Sequence, residues 1–584
     1  AVMATTISIV AIFLPVAFMK GIIGRFFMQF ALTVVFAVII SLFVSFTLTP
    51  MMASRYLKSH HSPVTSHQSG RWYKVIEKSY RSLLQIALNH RAVVIILATA
   101  VFIFSLYMTK FIGKEFLPQE DQGRFIVRLQ APIDYSVGEV DRLFKKAEEI
   151  IRSTPEVKTV FYAQGFGGEV NKGLMFIGLK EKSERGKIQQ EIMAEVRKKL
   201  RNIPGLKGTA EDVSLIGGGQ RVVPIQYSIR GRDLSTLQTY AGQIVSEFSK
   251  LPGIVDIDTS IETGKPEVRV FIDRDKAADL GVDIGSIAET VNFLIGGEMD
   301  VTKFKDEARG RRYDVRMRLE SGDRSNPDDI GRLYVRGKDG RFIELSNIVM
   351  IQEAGGPSVI NRLDRQRAIT LFANLEGKPL GGAKVELDSI SGKVLPLDYS
   401  GRYKGMAEIM GESFFYLMFA IILGIIFAYM ILASQFESFI HPITILLSMP
   451  FSFIGAFGAL LITGKTLNIF SFIGLILLMG LVKKNAILLV DYINTLRNRG
   501  IERREAILQA GPVRLRPILM TTFAMVFGMI PIAVGFGEGS ETRAPMAIAT
   551  IGGLLTSLFL TLIVVPVAYD LFDAVQERFR KKKI

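Results

Sequence analysis

The sequence predicts a membrane α-helical bundle of about eight spans that carries a large α+β insertion outside the membrane. Of the 584 residues, 49% are hydrophobic and the mean hydropathy is +0.30, which is too apolar for a soluble enzyme of this size. Apolar runs long enough to cross a bilayer occur near both ends of the chain, and residues 112–413 contain none. We therefore expect two groups of spans separated by one folded insertion.

Composition excludes several classes of function. The chain has no cysteine, which rules out disulfides, thiolate catalysis and Cys-ligated metal sites. The net charge is +15, but the excess lies in short segments beside apolar runs, where it indicates orientation on a membrane rather than nucleic-acid binding. The insertion shows no nucleophile–base pair or metal-ligand pattern. We therefore expect neither an enzyme nor a metal site, and no nucleic-acid partner.

Three spans are predicted in the first part of the chain. Residues 1–54 contain two of them, and residues 92–111 form the third. Residues 55–91 hold seven Lys or Arg side chains and one acid, Glu77, so the positive-inside rule places them in the cytoplasm. Apolar residues at helical spacing within this segment predict an amphipathic helix in the membrane interface. These residues are Trp72, Val75, Ile76, Tyr80, Leu83, Leu84 and Ala87.

The insertion contains an internal repeat. A strand, a helix and a second strand follow one another from residue 124 and again from residue 222, with Pro155 and Pro252 in matching turns. This pattern predicts two split βαβ units, of the kind that build ferredoxin-like sandwiches. The glycine run at 216–220 is predicted to be a flexible linker between them.

Five further spans are predicted within residues 411–570, followed by a basic cytoplasmic tail, 571–584. The apolar run 469–493 is unusual because it contains Lys483 and Lys484, and a charge at the centre of a span costs roughly 2.5 to 3.5 kcal/mol. About two more helical turns of apolar residues follow the lysines. We predict that Lys484 lies too deep to reach water and has a function, whereas Lys483 extends to the headgroups.

Arg514 and Thr521 are further candidates for a membrane site. They are seven residues apart, or two helical turns, so they share a helix face that can meet the helix of Lys484. Spacing alone leaves a second interpretation open. In it, Arg514 and Arg516 anchor the span at the cytoplasmic surface and Thr521 is a packing residue.

Several separate motifs resemble one transporter family. They are GLVKKNAILLVDY (480–492), RLRPILMT (514–521), PDDIGRLYVR (327–336) and INRLDRQRAITL (360–371). With the order of spans, they are similar to the resistance-nodulation-division (RND) exporters, and in particular to the hydrophobe/amphiphile drug-efflux branch of Gram-negative bacteria. The resemblance covers the whole chain. It implies that the chain corresponds to spans five to twelve of a twelve-span protein.

The resemblance implies a proton relay. In the family, the counterpart of Lys484 pairs with two aspartates of the fourth span, and the counterparts of Arg514 and Thr521 complete the relay. Those aspartates are expected in an N-terminal part of the protein that precedes Ala1. We therefore expect that this piece does not pump by itself. The energy source would be the proton gradient, without a cofactor.

The resemblance also divides the insertion, which it places in the periplasm. It implies a first porter subdomain at 112–210, a second at 211–270 with 363–405, and a docking subdomain at 271–362.

Three phenylalanines, Phe161, Phe166 and Phe176, fall at positions similar to those that line the distal drug pocket in this family. The loop between them is shorter than the family pattern. For Phe161 and Phe176 the alternative is a place in the strand core.

The implied function is export of hydrophobic or amphiphilic drugs, dyes and detergents from the periplasm and inner membrane. The implied assembly is a homotrimer with a periplasmic adaptor and an outer-membrane channel. An RND-type metal-ion exporter is a first alternative, although Lys484 stands where that branch favours a carboxylate. The methionines, Met175, Met299, Met317 and Met350, are also scattered rather than arranged as a ladder. A non-transporting scaffold or translocation accessory is a second alternative.

Overall fold

The first part of the chain is helical. In the computed structural model, which describes residues 2–56, 71–165, 168–213, 223–261, 265–356, 359–535 and 539–581, it forms α1 (Val2–Ala17), α2 (Gly21–Phe46), α3 (Leu48–Tyr56), α4 (Arg71–Asn89) and α5 (Arg91–Met108). The predicted basic segment thus contains α4, and residues 57–70 lie outside the described residues.

Helix α4 has the predicted helical conformation, but its apolar residues differ in burial. Tyr80, Leu84 and Ala87 are buried against the rest of the protein, whereas Val75 and Ile76 are exposed. The apolar residues therefore lie on two faces of α4 instead of one. Burial raises the pKa of Tyr80, and its hydroxyl donates a hydrogen bond of 2.9 Å to the backbone oxygen of Leu562.

The insertion begins with a sandwich of one sheet and two helices. Its elements are β1 (Arg124–Gln130), α6 (Val137–Arg152), β2 (Val157–Gln164), β3 (Lys172–Leu179), α7 (Gln189–Arg201) and β4 (Lys207–Asp212). The strand order is β2-β3-β1-β4, and all neighbours are antiparallel. This is the βαββαβ topology of ferredoxin-like sandwiches. Helix α6 begins at Val137 because Ser136 and Glu139 form a capping box.

Asp121 fixes the chain at the entry to this sandwich. Arg185 Nη2 donates to Asp121 Oδ1 over 2.7 Å, and the backbone N–H groups of Gln189 and Gly123 donate to the same carboxylate over 3.0 and 3.1 Å. The side chains of Asp121 and Arg185 are only 4% and 2% exposed. Burial acts to raise the pKa of Asp121, but these donors outweigh it and hold the pKa below its ordinary value of 3.8.

This carboxylate makes the stability of the protein depend on acid. Because the folded pKa of Asp121 is lowered, its contribution is present above the ordinary pKa of 3.8 and is lost as the pH falls through the folded pKa. We expect Asp121→Asn to reduce stability at neutral pH by about 3 kcal/mol and to flatten the decline in acid. Thermal unfolding followed by circular dichroism from pH 7 to pH 3 measures both. The exposed Asp134→Asn is the control, and equal acid dependence in the two variants would contradict the assignment.

A second sandwich follows and is interrupted by an inserted segment. Its own elements are β5 (Ile225–Gly231), α8 (Leu234–Phe248), β6 (Ile254–Thr259), β13 (Arg362–Leu363), β14 (Gln366–Leu375), α11 (Leu380–Val394) and β15 (Ser400–Tyr403). The segment between β6 and β13 contains β7 (Lys265–Ile272), α9 (Arg274–Asp279), α10 (Ile284–Val291), β8 (Glu298–Asp306), β9 (Arg311–Met317), β10 (Tyr334–Arg336), β11 (Phe342–Glu344) and β12 (Val349–Gly356).

The second sandwich repeats the topology of the first. Strand β14 pairs with both β5 and β6, and β15 pairs with β5, which gives the order β15-β5-β14-β6. Both predicted strand–helix–strand units are therefore present. The predicted linker at 216–220 lies outside the described residues. The inserted segment leaves and returns through the antiparallel pair β7 and β12.

The last part of the chain is a helical bundle. It consists of α12 (Met406–Phe436), α13 (His441–Leu446), α14 (Ser448–Ile462), α15 (Ile469–Asn498), α16 (Arg503–Val534) and α17 (Ser540–Lys581). Within the described ranges, seven helical segments are long and apolar enough to cross a membrane, and Thr5–Ala17 is a shorter apolar helix. The number of spans therefore stays a prediction.

Two boundaries differ from the predicted ones. The arginine-rich stretch between the predicted spans is mostly helical, because α15 ends at Asn498 and α16 already begins at Arg503. The predicted basic tail is helical as far as Lys581. In the arginine-rich stretch, Arg497 and Arg503 pair with Asp573 and Asp570 of α17, and these ion pairs hold the helix ends to α17.

Candidate functional site

Helix α15 carries the candidate site and is surrounded on most sides. It packs against α1, α14, α16 and α17. Between residues 477 and 490 only four side chains are partly exposed, and they recur at intervals of four, three and four, so they form one line along the helix. We call this line the open stripe. It consists of Leu477, Leu481, Lys484 and Leu488.

The two lysines of α15 have different surroundings. Lys483 is fully buried, and its Nζ donates hydrogen bonds of 2.5 Å to the backbone oxygen and to Oγ of Ser8 in α1. The prediction that Lys483 extends to the headgroups is therefore wrong. Adjacent residues lie about 100° apart around a helix, so α1 covers Lys483 while Lys484 falls on the open stripe. Lys484 forms no hydrogen bond or ion pair with the residues that the structure describes.

Arg514 reaches α15 from the neighbouring helix. Its guanidinium carbon lies 4.7 Å from the centre of the Tyr492 ring, a cation–π contact. Arg514 Nε is buried and has no hydrogen-bond partner among the described residues. Arg514 is thus in contact with the helix that carries Lys484, eight residues beyond that lysine.

The Thr521 side chain forms its hydrogen bond within its own helix. Its hydroxyl donates a hydrogen bond of 3.1 Å to the backbone oxygen of Ile518, which also lies in α16. No hydrogen bond joins any two of Lys484, Arg514 and Thr521. The structure therefore places the three predicted relay residues on adjoining helices, and their relay role stays a prediction.

The backbone that enters α15 is bonded to the segment that enters the insertion. Leu467 N donates to Gly113 O over 2.8 Å, and Glu115 N donates back to Leu467 O over 3.1 Å. The Asn468 side chain then caps the N-terminus of α15, which begins at Ile469, by accepting hydrogen bonds from the backbone N–H groups of Phe470 and Ser471. A displacement of α15 along its axis would consequently move residues 113–115.

The same segment is bonded to the second sandwich. Lys114 O accepts a hydrogen bond of 2.7 Å from Gly381 N at the start of α11. Close packing makes this junction stiff, because a Cβ added at Gly113 would lie 2.5 Å from Cγ of Pro379. Glu115 accepts a hydrogen bond from the hydroxyl of Thr466, and burial raises the pKa of this carboxyl. No pattern in the sequence indicates this connection between α15 and the insertion.

The predicted phenylalanines lie on the first sandwich. Phe161 in β2 and Phe176 in β3 are directly paired across the sheet, with ring centres 6.0 Å apart. They are 63% and 41% exposed, so the alternative that they form strand core is wrong. Phe166 lies outside the described residues. The drug-pocket role of all three stays a prediction.

A charged cleft of 660 Å³ separates the two sandwiches, and the sequence reasoning missed it. Its lining includes Arg128, Lys172 and Lys207 from the first sandwich and Asp256, Asp258 and Phe372 from the second. The exposed pair Phe161 and Phe176 is not part of this lining.

Buried polar residues fasten the two sandwiches beside the cleft. Arg197 Nε of α7 donates to Asp256 Oδ2 of β6 over 2.7 Å, and Asn374 Nδ2 of β14 donates to the same oxygen over 3.0 Å. One sequence signal was available, since Arg197 lies four residues after Met193 on the apolar face of α7. A charge on an apolar helix face indicates a buried partner.

The sequence profile of the AcrB/AcrD/AcrF family matches residues 1–573. The chain belongs to this family. Among its relatives is the multidrug resistance protein MdtC of Pantoea ananatis (strain AJ13355), which is 32% identical over 592 residues, covering 100% of this chain and 57% of the relative. MdtC of Escherichia coli (strain UTI89 / UPEC) is also 32% identical, over 589 residues, with the same coverage.

Solved structures give the same result for the fold. A crystal structure of a heavy metal efflux pump superposes with a TM-score of 0.84 and 25% sequence identity, covering 98% of this chain and 58% of the pump. A second crystal form of a heavy metal efflux pump gives the same TM-score at 24% identity and so supports the fold alone.

Membership of the AcrB/AcrD/AcrF family places the chain in the bacterial inner membrane as a multi-pass protein with a periplasmic domain. The resemblance to RND exporters is thereby confirmed. The chain spans a little over half the length of the curated relatives that it matches.

Proposed function

We propose that the chain forms part of a proton-driven secondary transporter that exports hydrophobic or amphiphilic compounds from the periplasm and the inner membrane. The observation that carries this proposal is the pair of cationic side chains Lys484 and Arg514 on adjoining membrane helices. Lys484 has no carboxylate partner in the described part of the chain and lies on the open stripe. Ionisable groups inside spans are costly and commonly belong to proton or ion pathways.

The open stripe is the place where the partner carboxylates would enter. We propose that a helix from the remainder of the longer protein covers the stripe and pairs its carboxylates with Lys484. Protonation of a carboxylate removes its charge and weakens the pair, so α15 can adopt a second position. The hydrogen bonds from Leu467 to residues 113 and 115 would carry that displacement to the second sandwich.

Substrate would bind in the insertion. The charged cleft between the sandwiches offers both cationic and apolar contacts, and the exposed pair Phe161 and Phe176 offers two aromatic surfaces. Amphiphilic molecules match this combination. By analogy with the family, a homotrimer with a periplasmic adaptor and an outer-membrane channel would complete the export path.

The test is to replace each lysine separately in the full-length transporter that contains this chain. We expect Lys484→Ala to reduce proton-coupled dye export by about 100-fold or more, the order of loss when a proton-transfer group is removed. Lys483→Met is the matched control, because it removes the neighbouring charge from a site that α1 already covers. Export is measured in membrane vesicles with an imposed pH gradient, at equal protein level.

Two results would contradict the assignment. If Lys484→Ala keeps normal export, Lys484 has no part in the relay. If only Lys483→Met abolishes export, the buried lysine and Ser8 would carry the proton-linked step instead.

A metal ion is the second candidate cargo, because the solved pumps of the same fold export heavy metals by name. The described ranges contain no group of three or more His, Cys, Asp or Glu side chains that could hold a metal ion. Strains with and without the transporter should therefore differ in tolerance to dyes and detergents. A difference confined to metal salts would favour the metal-ion exporter.

A further inference from the structure

Helix α4 has three distinct faces, each about a third of its circumference, since successive residues advance by about 100°. The first face is buried against α16 and α17. The second is apolar and exposed, and it consists of Val75, Ile76, Leu83 and Ile86, which are 63%, 50%, 47% and 55% exposed. The third is basic and exposed, and it consists of Lys74, Lys78 and Arg81.

The buried face fixes α4 along the first half of α16. The Arg516 guanidinium lies 5.7 Å from the centre of the Tyr73 ring near one end. In the middle, a Cβ added at Gly511 would lie 2.9 Å from the Leu84 side chain. At the other end Arg504 is hydrogen-bonded to Asn89. Residue numbers rise along α4 as they fall along α16, so the two helices are antiparallel neighbours. The same contacts prevent α4 from rotating to bury its exposed apolar face.

The exposed apolar face therefore needs a non-aqueous neighbour. Four large apolar side chains on one helix face are an unusual surface to leave in water. Helix α4 is followed directly by the span α5, which begins at Arg91, so α4 lies at the membrane boundary. Lipid acyl chains are the apolar phase at this position.

The basic residues beside the exposed apolar face favour lipids with anionic headgroups. Lys74, Lys78 and Arg81 form no ion pair with any described residue. The single carboxylate of α4, Glu77, is half-buried at the border of the basic face, three residues after Lys74 and four before Arg81, so the three cations outnumber it. Each cation near an anionic membrane surface increases binding by about fivefold.

We propose that the adjoining basic and exposed apolar faces of α4 form a binding surface for anionic phospholipids in the leaflet next to this helix. The three cations bind the phosphodiester headgroups, and the apolar line contacts the acyl chains. The surface belongs to the α4–α16 pair and does not depend on the relay or on the exported compound.

The chain contains its own reporter for this surface. Its single tryptophan, Trp72, is the second residue of α4, so tryptophan emission reports on this helix alone. The experiment reconstitutes the 584-residue chain into phosphatidylcholine vesicles. Brominated phosphatidylglycerol or brominated phosphatidylcholine is then added in increasing fractions, because bromine quenches nearby tryptophan.

We expect brominated phosphatidylglycerol to quench Trp72 at a fraction about fivefold lower than brominated phosphatidylcholine. Lys78→Gln should reduce this preference, and Lys74→Gln, Lys78→Gln and Arg81→Gln together should abolish it. Arg499→Gln removes one exposed charge from the turn between α15 and α16 and should leave the preference unchanged.

Three results would overturn the proposal. Equal quenching of the wild-type chain by both lipids would remove the anionic preference. A preference that survives in the variant lacking all three cations would assign it to other residues. Absence of quenching by either lipid would mean that protein from a second copy of this chain covers α4.

Discussion

Asp570→Ala is expected to reduce the stability of the helical bundle by about 2 kcal/mol, because it removes a nearly buried carboxylate that both Arg503 and Arg91 contact. Asp570 Oδ1 accepts a hydrogen bond of 2.8 Å from Arg503 Nε, and Asp570 Oδ2 accepts one of 3.3 Å from Arg91 Nη1. The neighbouring Asp573 pairs with Arg497 and lies 3.5 Å from Arg503 Nη1. The side chains of both aspartates are only 10% exposed.

This cluster ties the ends of three helices to α17. Arg91 begins α5, Arg497 lies in the last turn of α15, Arg503 begins α16, and both aspartates belong to α17. Removal of Asp570 takes away the 2.8 Å hydrogen bond from Arg503 Nε, while Asp573 stays in place. The loss of stability is therefore smaller than removal of both carboxylates would cause. It arises at the contact between α16 and α17.

Thermal unfolding in detergent measures this loss. Asp398→Ala is the matched control, because Asp398 is exposed and has no ion pair among the described residues. A cycle with Arg503→Ala should give a coupling of at least about 1 kcal/mol between the two sites. Additive effects of the two substitutions would show that the ion pair does not stabilise the bundle.

Gly552→Ala is expected to destabilise the bundle by about 2 kcal/mol or more, although alanine favours helix by about 1 kcal/mol over glycine. Gly552 lies where α17 crosses α14. A Cβ at this position would overlap the backbone oxygen of Gly455 and lie 2.5 Å from Ala459 Cβ. Two backbones therefore meet directly, and neither can move without separating the helices.

Gly528→Ala is the matched control for this crossing. Gly528 is also inside a long helix, α16, but nothing lies within 4 Å of an added Cβ. We expect this substitution to be neutral or to stabilise by up to about 1 kcal/mol. The two variants are compared by the temperature at which the detergent-solubilised protein unfolds. Equal unfolding temperatures of the two variants would mean that α14 and α17 can separate without a loss of stability.

Hydropathy and charge predicted the overall plan because both act over long stretches of chain. A span needs about 20 apolar residues whatever its neighbours are, and a ferredoxin-like unit repeats its strand and helix periods. The family motifs around Lys484 and Arg514 were readable for the same reason, since a charge inside an apolar run is visible without a structure.

The sequence alone could not separate the two lysines. Lys483 and Lys484 are adjacent, and only the rotation of α15, which α1, α14, α16 and α17 fix together, decides which lysine is covered. The same limit applied to α4. Helical spacing grouped its apolar residues, but which of them touch α16 and which stay exposed depends on contacts with residues more than 400 positions away, such as Arg504 with Asn89.

The sequence by itself determined the class of protein, the position of the insertion and the residues that carry charge into the membrane. The reason is that apolar length, residue type and repeat period are properties of a local stretch. Only the tertiary structure decided that Ser8 holds Lys483, that residues 113–115 connect α15 to the second sandwich, and that a charged cleft lies between the two sandwiches. These features join parts of the chain that are far apart in sequence, and local patterns contain no information about which distant backbone or side chain will be the neighbour.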